Sequence, residues 1–249
     1  MGAAGVIFDF DGVIANTEEL HLAAYNQVLR AARKAVGRVL QITPDRYFSR
    51  YIVYGNFDGF RQMLLDHGLN PSRALLEDLC RLKDKIMDGQ LGGAMAALPG
   101  VTTLLQHLAA RDVPCGICSG ARRQEIDTLL GAFTLMQHFS AIVSIEDVTR
   151  GKPDPQGYRL AFDRLNARRN GPLDKSQCLA IEDTEGGAAA AHAANLRVLG
   201  VATTSRLECV RQWADFAFEN LQQVSLTQFD QWLGLPTYPA AAPDQHGAK

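Results

Sequence analysis

Short apolar segments alternate with helical patterns over most of the chain. Six of these segments have the length and apolar character of buried strands in a parallel sheet. They are Val6–Phe10, Pro114–Cys118, Ala141–Ser144, Leu179–Ile181, Val198–Val201 and Phe216–Phe218. Helical patterns separate most of them, at Thr102–Arg111, Arg123–Leu130, Pro155–Asn166 and Gly186–Asn195. This alternation predicts an α/β fold built on a doubly wound parallel sheet.

One long interruption follows the first strand, where helical patterns occur without any convincing strand. These patterns are Glu18–Lys34, Asp58–His67 and Ser72–Asp88. We therefore expect residues 17–98 to form an all-helical cap inserted into a core made of residues 1–16 and 99–235. The linkers Ala15–Thr17 and Met95–Gly100 would let this cap move as a lid. Residues 236–249, rich in proline and alanine, are predicted to be a loose tail.

Composition and charge narrow the class of protein. The chain has 249 residues, 47% of them hydrophobic and 21% charged, which is typical of a soluble globular protein. The net charge of −2 argues against a nucleic-acid partner. We interpret the basic group Arg164, Arg168 and Arg169 as a solvated helix face. No segment approaches the roughly 18 apolar residues of a membrane span, and no signal peptide is evident, so we expect a cytoplasmic protein.

The five cysteines do not suggest a disulfide framework, because they are odd in number and scattered. Cys115 and Cys118 have the C-x-x-C spacing of redox and zinc sites. They lie on a predicted strand, however, where residues three apart face opposite sides. No second C-x-x-C pair is present to complete a zinc site. We interpret both as small apolar core residues.

The candidate chemistry begins at the end of the first strand, in Val6–Gly12. Asp9 and Asp11 are two residues apart and project to the same side of an extended chain. They would lie at the carboxyl end of the strand, where open α/β sheets bind their ligands. Two adjacent carboxylates resist joint ionisation unless a cation lies between them, and their hard oxygens suit Mg²⁺. The alternative is a simple turn, since aspartate and glycine both favour turns.

Two further sites offer groups that can hold a phosphate. Ser119 and Gly120 follow the second strand and offer a hydroxyl and free backbone N–H groups, although Ser119 could instead cap a helix. Lys152 lies in Gly151–Pro155, where two prolines stiffen the turn and hold the ammonium in place.

A second pair of acids follows the fourth strand. If the first and fourth strands share a sheet, Glu182 and Asp183 lie near Asp9 and Asp11, which is a magnesium pattern. Thr17 could stabilise the turn after the first strand. His21 could face the site, but we favour a half-buried surface position for it.

Taken in order, these motifs resemble the four motifs of the haloacid dehalogenase superfamily. The motifs are Asp9-Phe-Asp11-Gly12, Ser119, Lys152-Pro-Asp154-Pro and Glu182-Asp183. The helical insert resembles the cap of that superfamily. The chain is most similar to its branch of phosphoglycolate phosphatase-like enzymes, β-phosphoglucomutase and CbbY-like phosphatases. The resemblance covers about residues 5–220.

The resemblance implies a role for each residue. Asp9 would be the nucleophile that forms an aspartyl-phosphate, and Asp11 the general acid and base. Mg²⁺ would bind the Asp9 carboxylate, the backbone carbonyl of Asp11 and Asp183, with Glu182 binding directly or through water. Ser119 and Lys152 would stabilise the phosphoryl oxygens. The residues expected around the phosphate are Gly12, Thr17, Ser119, Gly120 and Lys152.

The cap would recognise the leaving group. Candidate contacts are Tyr51, Tyr54, Gly55, Asn56 and Asp58, with Lys83 or Lys85 as further possibilities. In the mutases of this family an arginine lies in that loop, just after the glycine. This chain has Asp58 near that position, which weakens the case for a second phosphate held by the cap.

The sequence therefore predicts a Mg²⁺-dependent phosphatase that acts on a small phosphorylated metabolite. Among such metabolites, we favour a sugar phosphate. The main alternative is a sugar phosphomutase. A non-catalytic binding module is a third hypothesis, but it would require damaged motifs and none is damaged. We expect a monomer or small homo-oligomer with no nucleic-acid or membrane partner.

Overall fold

Six parallel strands form one sheet, and its order brings the predicted motifs to one edge. The computed structural model describes residues 4–52, 54–90, 96–168 and 171–236. The strands are β1 (Val6–Phe8), β2 (Cys115–Cys118), β3 (Phe139–Val143), β4 (Leu179–Glu182), β5 (Arg197–Val201) and β6 (Phe216–Phe218). Their order is β3-β2-β1-β4-β5-β6, so β1 lies between β2 and β4 where the order reverses. Ligands bind at such a reversal in open α/β sheets, and the predicted fold class is confirmed.

Helices precede or follow most strands, as the sequence pattern indicates. The longer ones are α1 (Glu18–Ala31), α2 (Asn56–Asp66), α3 (Arg73–Gln90), α4 (Val101–Ala110), α5 (Arg123–Ala132), α6 (Gln156–Ala167), α7 (Glu185–Ala193) and α8 (Leu226–Trp232). Short helices occur at Arg33–Val36, Pro44–Arg46 and Leu207–Val210, with a π-helical turn at Tyr47–Tyr51. The predicted first helix ends at Ala31 rather than Lys34. The turns at Pro44–Tyr51 and α8 were not predicted.

The two faces of the sheet pack into separate hydrophobic clusters. Side chains from α4 and α5 cover one face with Val6 and Phe8, while α6 and α7 cover the other with Ile7. The alternation of β1 between the clusters follows from the two-residue period of a strand. Cys115 belongs to the first cluster and Cys118 to the second. Burial raises the pKa of each thiol to about 12, so both are apolar core residues, as predicted.

The helical segment between β1 and α4 packs around a core of its own. Its buried side chains include Tyr25, Leu29, Phe60 and Leu79. The chain leaves and returns at adjacent points, because the Leu98 amide donates to the Ile14 carbonyl at 2.9 Å. This arrangement is that of a helical insertion, while the exact limits of the domains stay a prediction.

Some predicted features fall outside the described residues. These are Met95 in the second linker, Arg169 in the basic group, and the tail from residue 237 onward. Within the ranges that are described, no helix has both the length and the apolar character needed to cross a lipid bilayer.

Candidate active site

The nucleophile candidate Asp9 lies immediately after β1. Its amide donates to the Ile181 carbonyl of β4 at 2.9 Å, which ties this position to the neighbouring strand. The Phe10 amide donates to Asp9 Oδ1 at 2.7 Å, so the backbone fixes the direction of the carboxylate. The side chain is buried yet lines the main cavity. A carboxylate held in this way is oriented before any substrate arrives.

Lys152, in the turn Gly151–Pro155 after β3, contacts carboxylates at the ends of both β1 and β4. Its Nζ lies 2.8 Å from Asp9 Oδ1 and 2.6 Å from Glu182 Oε1. Although burial opposes its charge, the two carboxylates raise the pKa of Lys152 above its ordinary value. The prediction that a stiff turn holds this lysine in the site agrees with these contacts. We call Asp9, Lys152, Glu182 and Asp183 the strand-end cluster.

The Glu182 carboxylate is enclosed on all sides. Oε1 accepts hydrogen bonds from Lys152 and from the Tyr158 hydroxyl at 2.5 Å, and Oε2 accepts one from the Thr184 hydroxyl at 3.2 Å. A Cβ at Gly187 would lie 2.1 Å from this carboxylate, so only glycine fits at the start of α7. Because both oxygens are already hydrogen-bonded, Glu182 is better suited to orient its neighbours than to bind a metal ion directly.

Asp183 has the opposite property, an unsatisfied atom. Its carboxylate is buried, and Oδ1 has no hydrogen-bond partner among the residues that the structure describes. A buried polar atom without a partner is costly and usually indicates a missing ligand or ion. Carboxylate oxygens of Asp9, Glu182 and Asp183 all lie within 4.8 Å of one another. This donor set of hard oxygens fits Mg²⁺.

The charges of the strand-end cluster also indicate that a cation binds there. Burial and the Glu182 carboxylate raise the pKa of Asp9 to about 8, and Lys152 only partly offsets them. Burial and Asp9 likewise raise the pKa of Asp183. A nucleophilic carboxylate must be ionised. One lysine is too little positive charge for three buried acids, so a divalent ion is what would keep Asp9 charged.

Asp11 also lines the cavity. The Thr17 hydroxyl donates to Asp11 Oδ1, and burial raises the pKa of Asp11 despite this hydrogen bond. A raised pKa favours the protonated carboxyl group, which is the form that a general acid requires. The position of Thr17 at the start of α1 therefore fixes the group that would protonate a leaving oxygen.

Ser119 and Gly120 line the cavity beside these acids. The Ser119 hydroxyl oxygen accepts a hydrogen bond from the Ala121 amide at 2.9 Å, which leaves its own proton free to donate. Helix α5 begins only at Arg123, so Ser119 is not its N-cap. The alternative of a simple helix cap is wrong.

The cavity has a volume of about 750 Å³ and lies between the sheet edge and the helical insert. Among the predicted cap contacts, Tyr54, Gly55, Asn56, Asp58 and Lys83 line it. Tyr51 and Lys85 do not. The Tyr51 hydroxyl instead donates to Asp66 at 2.9 Å inside the insert, and Lys85 is exposed on α3.

His21 lies in the site, and the preference for a surface position is wrong. Its Nε2 is 3.9 Å from Asp11 Oδ1 and 3.5 Å from Glu125 Oε1, while Lys83 Nζ is 2.8 Å from its Nδ1. Burial and the Lys83 ammonium lower the pKa of His21 well below its ordinary value. The neutral ring then accepts from Lys83 at Nδ1 and carries its proton on Nε2. We call Asp11, His21, Lys83 and Glu125 the cap-facing cluster.

Comparison with known proteins agrees with this geometry. The sequence model of the family described as Haloacid dehalogenase-like hydrolase matches residues 6–201. The chain belongs to this family. It is 30% identical to Protein CbbY from Rhodobacter capsulatus over 80% of this chain and 85% of that protein. It is 26% identical to Validoxylamine A 7'-phosphate phosphatase from Streptomyces hygroscopicus subsp. limoneus, over 88% of this chain and 94% of that phosphatase.

A solved structure shows the same fold at lower identity. The beta-phosphoglucomutase from Clostridium difficile superimposes with a TM-score of 0.76 at 20% identity, over 93% of this chain and 97% of that one. The resemblance noted in the sequence is confirmed, and phosphatases among the relatives support the predicted class of enzyme, a phosphoric monoester hydrolase.

Two residues of this haloacid dehalogenase-like hydrolase have partners other than the predicted phosphate. The Gly12 amide donates to the Ala15 carbonyl at 2.8 Å, and Thr17 is hydrogen-bonded to Asp11. Gly12 matters for another reason. Its φ is +73°, and a Cβ there would lie 1.9 Å from Asp183 Oδ2. Gly12 therefore makes room for Asp183, and its contact with a phosphate stays a prediction.

Sequence reasoning missed two residues of the site. Tyr158 is fully buried on α6 and donates to Glu182, but its position in an apolar helical pattern looks like ordinary core. Glu125 lies in the first turn of α5, where acids are common because they interact favourably with the helix dipole. Neither residue carried a local signal of its role.

Proposed function

We propose that the protein is a Mg²⁺-dependent phosphatase that hydrolyses a small phosphorylated metabolite of the sugar-phosphate type through an aspartyl-phosphate. The observation that carries the proposal is the strand-end cluster. In it the backbone and Lys152 orient the buried Asp9 carboxylate beside the unpartnered Oδ1 of Asp183.

The first step is attack by an Asp9 carboxylate oxygen on the phosphorus. As the bond to the leaving oxygen breaks, Asp11 donates its proton to that oxygen and releases the alcohol. Ser119, the backbone after it and Lys152 stabilise the negative charge on the phosphoryl oxygens. Asp11, now a base, removes a proton from a water molecule, and this water attacks the phosphorus. The bond between the phosphorus and the Asp9 oxygen breaks, which releases inorganic phosphate and regenerates Asp9.

Asp9, Asp183 and the backbone carbonyl of Asp11 are the groups that would hold Mg²⁺. When bound, the ion supplies positive charge that keeps Asp9 ionised and offsets charge on the transferring phosphoryl group. Glu182 would act by holding Lys152 and the turn at Thr184 in place.

The activity test is hydrolysis of p-nitrophenyl phosphate with Mg²⁺, because this substrate needs no recognition of a natural leaving group. Release of nitrophenol supports the proposal and excludes the non-catalytic module. A purified, folded protein that hydrolysed neither p-nitrophenyl phosphate nor any other phosphate ester would contradict the proposal.

A sugar phosphomutase is the second candidate, and one observation favours it. Lys83 gives the insert a buried cationic group that lines the cavity and has hydrogen bonds to His21 and Asn56. Such a group could hold the non-reacting phosphate of a bisphosphate. Asp58, which lines the same cavity, opposes that role by charge repulsion.

Product analysis with glucose 1-phosphate and other sugar phosphates distinguishes the two activities. Free phosphate released in step with substrate loss supports a phosphatase. Conversion to an isomeric sugar phosphate, primed by a bisphosphate and with little free phosphate, would establish the mutase instead.

A further inference from the structure

A buried carboxylate on the core side of the cavity has no assigned task in the proposed mechanism. Glu125 is only 3% exposed, yet it lines the cavity. Within the described part of the chain, its Oε1 has no hydrogen-bond partner. His21 Nε2 lies 3.5 Å away, beyond the usual length of an N–H···O hydrogen bond. An acceptor buried in this way costs free energy unless a ligand satisfies it.

The position of Glu125 relative to Asp11 limits what that ligand can be. Ligand atoms of Asp11, His21 and Glu125 all lie within 4.8 Å of one another. In the proposed reaction Asp11 contacts the leaving oxygen. With hydrogen bonds of about 2.8 Å, oxygens on neighbouring carbons of one substrate can therefore reach both carboxyl groups.

The surroundings of Glu125 disfavour negative charge. Burial together with the Asp11 carboxyl group raises the pKa of Glu125 to about 8, so an anionic substrate group at this place would meet the same penalty. The cations that could offset a further negative charge have other partners. Arg122 is paired with Asp84 and Asp88, and Lys83 is hydrogen-bonded to His21.

Resting on the phosphatase function proposed above, we propose that Glu125 is a specificity residue that accepts a hydrogen bond from a hydroxyl on the carbon next to the phosphoester carbon. The substrate class is then a phosphate monoester of a vicinal diol, such as a polyol or open-chain sugar phosphate. An ester that carries an anionic group at this carbon is disfavoured.

Three simple esters test this directly, because they differ at one carbon. They are 2-hydroxypropyl phosphate, propyl phosphate and carboxymethyl phosphate. We expect the wild-type protein to prefer 2-hydroxypropyl over propyl phosphate by about tenfold or more in kcat/KM, because propyl phosphate leaves the buried acceptor of Glu125 unsatisfied. We expect carboxymethyl phosphate to be the poorest of the three.

Variants at Glu125 should remove this preference. In Glu125→Leu the ratio of the first two substrates should fall to about one, and in Glu125→Gln to an intermediate value. Asp127→Asn is the matched control, since Asp127 lies on the same helix but pairs with Arg123 outside the cavity. It should keep the wild-type ratio. Circular dichroism and thermal melting verify that each variant is folded, and if Glu125→Leu fails to fold, Glu125→Gln decides.

The outcomes separate this inference from the function on which it rests. If the wild type does not hydrolyse p-nitrophenyl phosphate, the phosphatase function itself fails. If it does, but shows no preference for the hydroxyl, the role of Glu125 is wrong. If folded Glu125 variants slow all esters equally and keep the ratio, Glu125 merely orients His21 and the inference is overturned.

Discussion

The two clusters that line the cavity differ in how closely a basic side chain approaches their carboxyl groups. In the strand-end cluster, Lys152 lies 2.8 and 2.6 Å from two carboxylates that follow or end adjacent strands. In the cap-facing cluster, His21 lies 3.5 and 3.9 Å from two carboxyl groups. The first cluster is built on the sheet, whereas the second combines side chains from the core and the helical insert.

In the proposed mechanism, this difference separates the nucleophile and the metal site from recognition of the leaving group, and Asp11 takes part in both chemistry and recognition. The reacting groups need one fixed geometry, which strand ends provide, since misplacement of catalytic groups reduces rates strongly. Groups that select a leaving alcohol can be completed by the substrate itself. The unsatisfied oxygens illustrate this, since among the described residues Asp183 of the proposed metal site and Glu125 beside Asp11 each have a buried carboxylate oxygen without a partner.

The largest expected effect tests the strand-end cluster at its nucleophile. Asp9→Asn removes the attacking oxygen, so kcat for p-nitrophenyl phosphate should fall by at least about 1000-fold. Asp163→Asn, an exposed acid on α6, should not change it. If folded Asp9→Asn retains more than about a tenth of the activity, a barrier change of roughly 1.4 kcal/mol or less, Asp9 is not the nucleophile.

Metal removal tests whether the strand-end cluster binds Mg²⁺ through Asp183, the residue with the unsatisfied oxygen. Chelation with EDTA should reduce turnover to background, and Mg²⁺ should restore it. Asp183→Asn should raise the Mg²⁺ concentration for half-maximal activity by about tenfold or more, because one of the charged oxygens is lost. The exposed neighbour Glu185→Gln serves as the control. Full activity in metal-free protein would rule out the proposed centre.

The pH dependence of stability sharpens the comparison at Glu18, which lies beside the cap-facing cluster. Burial and Asp11 raise the pKa of Glu18 to about 7, although a hydrogen bond from Tyr47 lowers it. The folded protein then binds this proton more tightly than the unfolded chain does. The resulting stabilisation is complete below about pH 4.5 and is lost as the pH rises through about 7.

Glu18→Gln should remove this contribution, which amounts to at most about 3 kcal/mol. The measurement is urea unfolding between about pH 4.5 and 7.5 in EDTA. The free energy of unfolding is plotted against pH, and the wild type and the variant should differ in the slope of this plot. Glu19→Gln, the exposed neighbour, should follow the wild type. Parallel curves for wild type and Glu18→Gln would contradict the raised pKa.

The smallest effect concerns the contact between core and insert. Arg122 precedes α5, and its guanidinium lies 2.6 Å from Asp88 and 3.4 Å from Asp84 on α3. Such partly exposed pairs contribute about 0.5 kcal/mol each and weaken with salt. Arg122→Ala removes both pairs, about 1 kcal/mol in total, and should therefore favour opening of the proposed lid about fivefold.

Hydrogen exchange measures this opening. Exchange at Ala15–Thr17 and at residues 96–100 should be faster in Arg122→Ala than in the wild type. At high salt, the exchange rates of the wild type should rise toward those of the variant. Arg123→Ala removes only a pair within α5 and is the control. Equal exchange in all three proteins would indicate that Arg122 does not hold the lid closed.

The sequence predicted the strand-end cluster better than the cap-facing one for a physical reason. Asp9 and Asp183 each follow a short buried strand, so hydrophobic periodicity alone places them at one sheet edge. His21 and Glu125 meet only because the insert folds back over the core. Their helical patterns give a face but not the partner opposite that face, and the surface position predicted for His21 was wrong as a result.

Gly12 has a consequence for how catalytic and inactive relatives are told apart. Any side chain at this position would collide with the Asp183 carboxylate, although Gly12 itself supplies no ligand and no proton. A descendant of this protein could therefore become a pseudoenzyme while every acid of its motifs is retained. Scanning genomes for the four acids alone would count such a protein as active, whereas including this glycine would exclude it.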